Sequence, residues 1–325
     1  MRAALCTHHG PLGDVAVEVV PDPVAGPGQV VVDVAAAAVN FPDVLLVADR
    51  YQVHVDVPFT PGSEFAGTVR AVGPEVEGVA VGDRVMGALL IGGFAEQVVA
   101  PAVALEHVPD EVPLETAAAA GVAHKTAYHA LRSVARMRPG EQVVVLGAAG
   151  GVGLAAVELA TILGGRVVAA ASTEEKRALC HEKGAVAELD STDPDLKDRL
   201  KEVTGGGADV VIDPAGGPTA EAAIRASRWG CRFVSVGFAS GEIPRIPLNL
   251  VLLKGAVLTG FTFEGLARNQ PDDVARDQAE LAELLASGRV RPHVGNRYPL
   301  SQSAAAMTEL AERQALGKIL VLPGA

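Results

Sequence analysis

The sequence predicts an α/β protein of two domains: a β-rich domain formed by residues 1–121 and 264–325, and an inserted doubly wound parallel sheet in residues 122–263. Two observations predict this division. Short apolar runs separated by Gly and Pro fill the chain up to about residue 122, and strands then alternate with helices. The segment after residue 264 is too short to fold alone, so we expect it to complete the first domain.

The first domain is predicted from short strands with partial alternation, such as residues 29–34, 67–72 and 96–99. Turn signals stand between them, among them Gly26-Pro27-Gly28, Gly73-Pro74 and Gly92-Gly93. Many short strands with frequent turns are typical of a small barrel or a sandwich.

A helical pattern runs from Leu114 to Arg136, across the predicted domain boundary, and its Ala-rich spacing is interrupted at Gly121. Strands and helices alternate after it, which indicates a parallel sheet with right-handed crossovers. The predicted strands are 143–146, 166–171, 209–212, 233–236 and 257–262. The tail is predicted as a polar helix over 272–286, an extended segment over 294–300, a helix over 303–311 and a strand over 318–322.

Composition excludes several classes of function. The chain has 27 basic and 39 acidic side chains, a net charge of -12, and few aromatic residues, so nucleic-acid binding is not expected. Its three cysteines are far apart and contain no C-x-x-C pair, which argues against a zinc ribbon or a disulfide framework. No apolar run reaches the roughly 20 residues of a membrane span. We expect a cytoplasmic protein with no membrane partner.

A glycine-rich turn is the strongest local signal for function. The strand 143–146 is followed by Gly147-Ala148-Ala149-Gly150-Gly151-Val152-Gly153 and then by a helix. This order is typical of a dinucleotide site, in which backbone amides at a helix N-terminus face the pyrophosphate. Ala148 stands where the usual pattern has its first glycine. We expect Ala149, Gly150, Gly151 and Val152 to contact the cofactor.

The end of the next strand favours NADPH over NADH. NAD sites place a carboxylate about 20 residues after the glycine-rich turn to bind the ribose 2′-hydroxyl. Here the strand ends in Ala169-Ala170-Ala171-Ser172-Thr173, without an acid at its tip. We expect Ser172 and Lys176 to bind a 2′-phosphate, although residues 174–177 also fit a solvated first turn of a helix.

Motifs along nearly the whole chain carry a resemblance to a known family. They are Asn40-Phe41-Pro42-Asp43, Pro61-Gly62-Ser63-Glu64-Phe65-Ala66-Gly67, Val81-Gly82-Asp83-Arg84-Val85, Thr126-Ala127-Tyr128, Ala148 to Gly153, Gly237-Phe238-Ala239-Ser240-Gly241 and Gly317-Lys318. The chain resembles the zinc-independent medium-chain dehydrogenases/reductases, close to the NADPH:quinone oxidoreductases of the zeta-crystallin-like group. The resemblance implies a GroES-like β-barrel catalytic domain around an inserted Rossmann domain, with the active site in the cleft between them.

No catalytic metal is expected. Zinc-bearing relatives have a Cys where this chain has Asn40 and a His where it has Ser63, and a zinc site needs such thiolates or imidazoles. His8, His9 and His54 lack matched partners in the sequence, so we expect surface or packing roles for them. Hydride transfer without a metal suits an electrophilic acceptor such as a quinone or an enone.

The resemblance also implies roles for single residues. Asn40 and Tyr51 are similar to residues that line the nicotinamide and substrate cleft, so Asn40 is expected to contact cofactor and acceptor and Tyr51 the acceptor. Thr126 is implied near the nicotinamide, and Gly237, Phe238 and Ser240 near the ribose or adenine. The orientation of His124 and Lys125 stays open. The strand near Val257–Phe263 is implied to pair with its copy in a homodimer.

Two other functions fit the same motifs. One is a reductase of 2-enoyl thioesters, which would need room and positive charge for a coenzyme A or carrier arm. The other is an NADPH-binding protein with little turnover and a structural or sensing role.

Overall fold

The computed structural model describes all residues, 1–325, and they form two compact units. The first unit consists of Met1–Val122 and Pro292–Ala325, and the second is Ala123–Arg291. The chain therefore leaves the first unit once and returns to it, as the sequence predicts. Fifteen strands and ten α-helices build the two units.

In chain order the strands are β1 Arg2–Leu5, β2 Ala16–Val19, β3 Gln29–Ala38, β4 Glu64–Val72, β5 Arg84–Ala88, β6 Gln97–Pro101, β7 Leu105–His107, β8 Gln142–Leu146, β9 Arg166–Ala171, β10 Ala187–Asp190, β11 Val210–Asp213, β12 Arg232–Ser235, β13 Val257–Gly260, β14 Val294–Pro299 and β15 Lys318–Leu322. The helices are α1 Phe41–Val47, α2 Leu114–His129, α3 Gly151–Ile162, α4 Glu174–Glu182, α5 Leu196–Val203, α6 Pro218–Ala226, α7 Leu248–Lys254, α8 Phe263–Asn269, α9 Pro271–Ala286 and α10 Ser303–Ala311.

The first unit is organised around the long strand β3. Its sheet has the order β14-β15-β3-β4-β5-β7, and β6 pairs with the N-terminal half of β3. Two register shifts between β3 and β4 bend this pair, as β-bulges do in sheets that curve towards closure. The side chains of Phe65, Phe94, Leu46 and Ile319 fill the core that this curved sheet covers.

Small residues let the helix α2 approach the other face of that sheet. Ala36, Ala38 and Ala66 from β3 and β4 form a buried cluster with alanines 117–119 of α2. The predicted helix over 114–136 is present: α2 runs through Gly121 to His129 and passes into a π-helical turn, Ala130–Val134. A Cβ at Gly121 would lie 2.5 Å from the Glu64 Oε1 atom, so any other residue there would displace this carboxylate.

The second unit contains a six-stranded parallel sheet with the order β10-β9-β8-β11-β12-β13. This is the order of a doubly wound dinucleotide-binding sheet, with the first strand of the unit at its centre. Val143, Val144, Val145 and Leu146 of β8 are all buried, since helices cover both faces of such a sheet. The predicted alternation of strands and helices is confirmed.

The second domain boundary lies later than the sequence suggested. The helices α8 and α9 belong to the second unit and not to the barrel, because α9 is bound to the end of α2 through buried polar contacts. Asp277 Oδ2 lies 2.9 Å from His129 Nδ1, and Glu280 accepts a hydrogen bond of 2.7 Å from the Tyr128 hydroxyl. The chain therefore re-enters the first unit at Pro292.

The outer strand β13 ends at Gly260, three residues before Phe263, which opens α8. Thr262 caps that helix by accepting a hydrogen bond of 3.1 Å from the Gly265 amide. Val257 and Leu258 of β13 are exposed, as is Phe263. None of the ten helices combines the length and the apolar character that crossing a membrane requires.

Candidate active site

Asn40 begins the helix α1 and joins a buried polar cluster in the first unit. Its amide N–H donates to Asp43 Oδ2 across 2.7 Å, which closes the first turn of the helix. Its side-chain oxygen accepts a hydrogen bond of 2.7 Å from Lys318 Nζ, and its side-chain nitrogen donates to Glu64 Oε2 across 2.9 Å. Longer contacts of 3.4 Å join that nitrogen to Ser63 Oγ and to the Ala38 carbonyl.

Glu64 and Lys318 form an ion pair beneath Asn40. Lys318 Nζ lies 3.2 Å from Glu64 Oε2, and the two residues are 3% and 1% exposed. The other carboxylate oxygen of Glu64 accepts a hydrogen bond of 2.6 Å from the Val122 amide, beside the space that Gly121 leaves. A buried pair persists only when its remaining groups are also bonded, and this one meets that condition.

Asp43 is the second buried acid of the cluster. Its complete burial raises the pKa of its carboxyl group to about 6, although hydrogen bonds from Asn40 and Ser63 and the charge of Lys318 act in the opposite direction. One of its oxygens, Oδ1, has no hydrogen-bond partner. The cluster therefore holds two acids of unlike character: Glu64, paired with a cation, and Asp43, which binds a proton more readily than usual.

Tyr51 lies in the irregular segment that follows α1. It is partly buried and its ring packs against the apolar core of the first unit. Its hydroxyl group makes no hydrogen bond within the chain. The residue therefore has a fixed ring and a phenolic donor that remains available to a bound molecule.

The glycine-rich turn lies at the C-terminal end of β8, in the second unit. Gly147 has φ of 56°, so it supplies the left-handed conformation of the tight turn, and Ala148 can then replace the usual first glycine. A Cβ at Gly153 would lie 2.2 Å from the Gly147 carbonyl oxygen, which explains glycine in the first turn of α3. Gly150 caps this helix without a side chain, and the amides of its first turn are open to an anion.

The tip of the neighbouring strand β9 carries Ser172, which is exposed. Thr173 caps α4 by accepting a hydrogen bond of 3.3 Å from the Lys176 amide. Arg177 donates to the Ala171 carbonyl across 3.3 Å and pairs with Asp190, so its guanidinium group is anchored at the strand tip. This sheet edge thus carries a hydroxyl group and basic residues, without a carboxylate at the end of β9.

Two more loops reach the same sheet edge. Asp213 ends β11, and its Oδ1 accepts hydrogen bonds of 2.9 and 2.8 Å from the amides of Ala215 and Gly216. Burial raises the pKa of Asp213, and these two bonds partly counter it. The Ser240 amide donates to the Ala215 carbonyl across 2.8 Å, so Gly237–Ser240 lies against the Asp213 turn with Phe238 exposed. Asp213 is a turn residue here.

Thr126 is buried in the part of α2 that belongs to the second unit. Two residues earlier, His124 is also buried, and its Nε2 atom lies 3.6 Å from Glu158 Oε2 on α3. Lys183 Nζ bonds the other oxygen of Glu158 across 2.9 Å. Burial raises the pKa of Glu158, but the contacts with His124 and Lys183 outweigh it and leave that pKa lowered. His124 therefore faces the interior, and Lys125 is partly exposed.

The sequence did not identify Glu64, Lys318 and Asp43 as partners of Asn40. A signal was present, because Lys318 is the first residue of the otherwise apolar strand β15 and Glu64 comes directly before the apolar residues 65–67 of β4. A charged residue at the start of a buried strand needs a partner.

The donors around Asn40 do not form a set that suits zinc. They are an amide, the Ser63 hydroxyl and the Glu64 carboxylate, whose Oε2 already faces the Lys318 ammonium group. Zinc sites use thiolate, imidazole and carboxylate ligands, and a buried cation among them would repel the metal ion.

Two family models match the chain. The alcohol dehydrogenase GroES-like domain matches residues 26–110 of the first unit, and the zinc-binding dehydrogenase model matches residues 151–282 of the second unit. The expected GroES-like and Rossmann domains are therefore confirmed. The description of the second model refers to zinc, whereas the donors around Asn40 do not fit that metal.

Relatives cover the chain almost completely. Quinone oxidoreductase-like protein 2 of Bos taurus is 38% identical over 98% of this chain and 92% of its own. A mycobacterial protein solved in complex with NADPH is 33% identical and superposes with a TM-score of 0.92 over 99% of this chain and all of that one. Escherichia coli quinone oxidoreductase in complex with NADPH is 27% identical, with a TM-score of 0.92 and the same coverage. The chain belongs to the quinone oxidoreductase-like branch of the medium-chain dehydrogenase/reductase family.

Proposed function

We propose that the chain is a cytoplasmic NADPH-dependent reductase of quinones or other activated alkenes, working without a catalytic metal. The observation that carries the proposal is the buried Asn40–Glu64–Lys318 cluster, which replaces a zinc ligand set with a hydrogen-bonded amide and an ion pair. The NADPH complexes of two close structural relatives support the cofactor.

The second unit is proposed to hold the cofactor at the C-terminal edge of its sheet. The Gly150-Gly151-Val152 segment at the start of α3 would bind the pyrophosphate, mainly through the amides of Gly151 and Val152, since the Gly150 amide donates to the Gly147 carbonyl across 3.2 Å. Ser172 and Lys176 would bind the 2′-phosphate, because the tip of β9 has a hydroxyl and a cation in place of an acid. Ala149, Gly237, Phe238 and Ser240 would line the ribose and adenine, and Thr126 the nicotinamide.

Bound NADPH supplies a hydride, and the chain supplies the groups that stabilise the charge that develops on the acceptor oxygen. Tyr51 is proposed to donate its free hydroxyl to that oxygen, since a fixed donor stabilises charge without reorganising. Asn40 is proposed to act as a second donor. Lys318 donates to its side-chain oxygen and polarises the amide, which strengthens as a donor the N–H that makes only the 3.4 Å contacts with Ser63 and Ala38.

Steady-state NADPH oxidation tests the acceptor class. A para-quinone, an enone and an enoyl-CoA would be compared at equal concentrations with the same purified protein. The proposal expects a higher kcat/KM on the quinone or the enone than on the thioester. A preference for the enoyl-CoA would identify a thioester reductase, and NADPH binding without turnover on any acceptor would identify a binding protein.

We also propose a homodimer formed through β13. This strand is the outer strand of the parallel sheet, so its outer backbone groups face no neighbour within the chain. Val257, Leu258 and Phe263 are exposed, and an apolar bare edge of this kind favours pairing. Light scattering of the native protein is expected to give twice the chain mass, and a single-chain mass would contradict the dimer.

A further inference from the structure

Three side chains that are distant in sequence meet on the surface of the first unit. His9 follows β1, whereas Asp49 and His54 lie in the segment between α1 and Phe59. One ring nitrogen of each histidine and one oxygen of Asp49 lie within 4.8 Å of one another. The expectation that His9 and His54 lack partners is therefore wrong, because the fold supplies partners that the sequence spacing does not show.

His9 faces more hydrogen-bond acceptors than a neutral imidazole can satisfy. Its Nδ1 atom lies 3.1 Å from the Leu46 carbonyl and its Nε2 atom 3.0 Å from the Val55 carbonyl. A neutral ring has one N–H, so one of these contacts brings together two acceptors. A metal ion bound at one ring nitrogen would replace one of these two carbonyl contacts, and the other nitrogen would keep its own.

His54 presents the second imidazole with acids on both sides. Its Nδ1 atom lies 2.8 Å from Asp49 Oδ1, and its Nε2 atom lies 3.6 Å from Asp56 Oδ1. The rings of His9 and His54 are 5.3 Å apart between centroids. The side chain of His54 is 60% exposed, so an ion from solution reaches this group without a change in the core.

We propose that His9, Asp49 and His54 bind a divalent transition-metal ion of the zinc type. Two imidazoles and a carboxylate are typical ligands for Zn²⁺ and Ni²⁺. The ligands of a tetrahedral zinc ion lie about 3.4 Å apart, as bonds of about 2.1 Å require, so the three groups need only small side-chain movements. The ring nitrogen of His9 that does not bind the metal keeps a backbone carbonyl as its acceptor, an arrangement that is common for metal-binding histidines.

The bound ion would link the segment that carries Tyr51 to the loop after β1. Residues 48–58 contain no helix or strand, and the side chains of Tyr51 and Val55 pack them against the core that contains Phe59. Asp49 and His54 lie on either side of Tyr51, and His9 belongs to a different part of the chain. The site would therefore cross-link this segment to the loop after β1, in a structural role separate from hydride transfer.

Calorimetric titration of the full chain with Zn²⁺ and with Ni²⁺ tests the site. The wild type is expected to bind one ion, and His54→Gln is expected to weaken binding at least about tenfold. Two matched controls, His8→Gln and His181→Gln, remove exposed histidines that pair with Asp14 and Glu188, and both should leave binding unchanged. Equal binding by wild type and His54→Gln, or the same loss in a control variant, would overturn the proposal.

Limited proteolysis gives a second readout that does not depend on enzyme activity. Arg50 is exposed and lies between Asp49 and His54, so trypsin can cleave after it. Saturating Ni²⁺ should slow this cleavage several-fold in the wild type and leave it unchanged in His54→Gln, with cleavage after exposed Arg289 as the internal reference. Equal rates with and without the metal in the wild type would overturn the cross-linking role.

Discussion

Lys318 Nζ donates to Asn40 Oδ1 across 2.7 Å, with both residues buried and 278 positions apart in the chain. The same ammonium group faces Glu64 Oε2 across 3.2 Å. The amide of Asn40 is thus held by a cation on one side and an anion on the other, which fixes its orientation. This is how the fold builds an ordered polar group where zinc-bearing relatives are expected to have a metal ligand.

Removing the lysine should destabilise the first unit. Lys318→Met leaves Glu64 as a buried charge without its cation, at a cost of about 3–5 kcal/mol in the free energy of unfolding. The double variant Lys318→Met with Glu64→Gln removes both charges and should recover a large part of that loss. Urea unfolding measures both variants, and equal stability of the single and double variants would contradict the ion pair as the source of the loss.

Stability should depend on pH through Asp43. Burial raises the pKa of this carboxyl group to about 6, above its value of about 3.9 in the unfolded chain. Between these values the native state keeps a proton that the unfolded state loses, so the free energy of unfolding falls as the pH rises from about 4 to about 6. The loss amounts to at most roughly 3 kcal/mol.

The variant Asp43→Asn isolates this effect, since its side-chain oxygen can still accept the hydrogen bond from the Asn40 amide. Thermal unfolding of both proteins from pH 4 to 7 gives the comparison. The wild type should lose stability relative to the variant as the pH rises. If the stabilities of the two proteins instead change in parallel with pH, the pKa of Asp43 is the same in the folded and the unfolded chain.

Lys176 should discriminate between the two nicotinamide cofactors. One charge-assisted hydrogen bond contributes roughly 1.5–3 kcal/mol. Lys176→Ala should therefore weaken the binding of NADPH about 10- to 100-fold and leave the binding of NADH nearly unchanged. Lys197→Ala is the matched control, because that lysine lies on the surface of α5 beside Asp198. Dissociation constants from fluorescence titration are compared, and an equal loss for both cofactors would remove the phosphate role.

Tyr51→Phe should slow turnover without weakening the fold. The ring keeps its packing, whereas the hydroxyl that is free in the structure is lost. A hydrogen bond to a developing charge is worth roughly 1.5–3 kcal/mol, so kcat/KM for the quinone should fall about 10- to 100-fold with NADPH affinity unchanged. Tyr298→Phe serves as the control, since its hydroxyl bonds Glu309 across 2.6 Å. Full activity in Tyr51→Phe would exclude it as a donor.

Much of the second unit is predictable from sequence because its signals are local. The glycine-rich turn stands between a strand and a helix, and most of the parallel strands contain short apolar runs, so their type and order follow from neighbouring residues. The exception is β10, which contains Glu188 and Asp190 and was not predicted. The role of Gly147 as the left-handed residue of the turn was harder to predict from the sequence. The motif suggested that Ala148 breaks the pattern, whereas the turn takes its left-handed residue from one position earlier.

The contacts between distant residues were not predictable in the same way. The sequence shows that Gly121 interrupts the Ala-rich spacing of α2 but not the reason, which is that Glu64, from another strand, occupies the space where a Cβ would lie. The helix α9 was assigned to the wrong domain for a similar reason, since its polar pattern does not reveal that Asp277 and Glu280 bond to the end of α2. His9 and His54 likewise meet only through the folding of the first unit.

The chain is proposed to reduce its acceptor with NADPH and without a catalytic metal. The most direct measurement is quinone-dependent NADPH oxidation by protein preparations of known zinc content, made with the wild type and with His54→Gln. We expect the turnover per chain of His54→Gln to be the same at every zinc content, including none. Turnover that rises in proportion to bound zinc in that variant would contradict it.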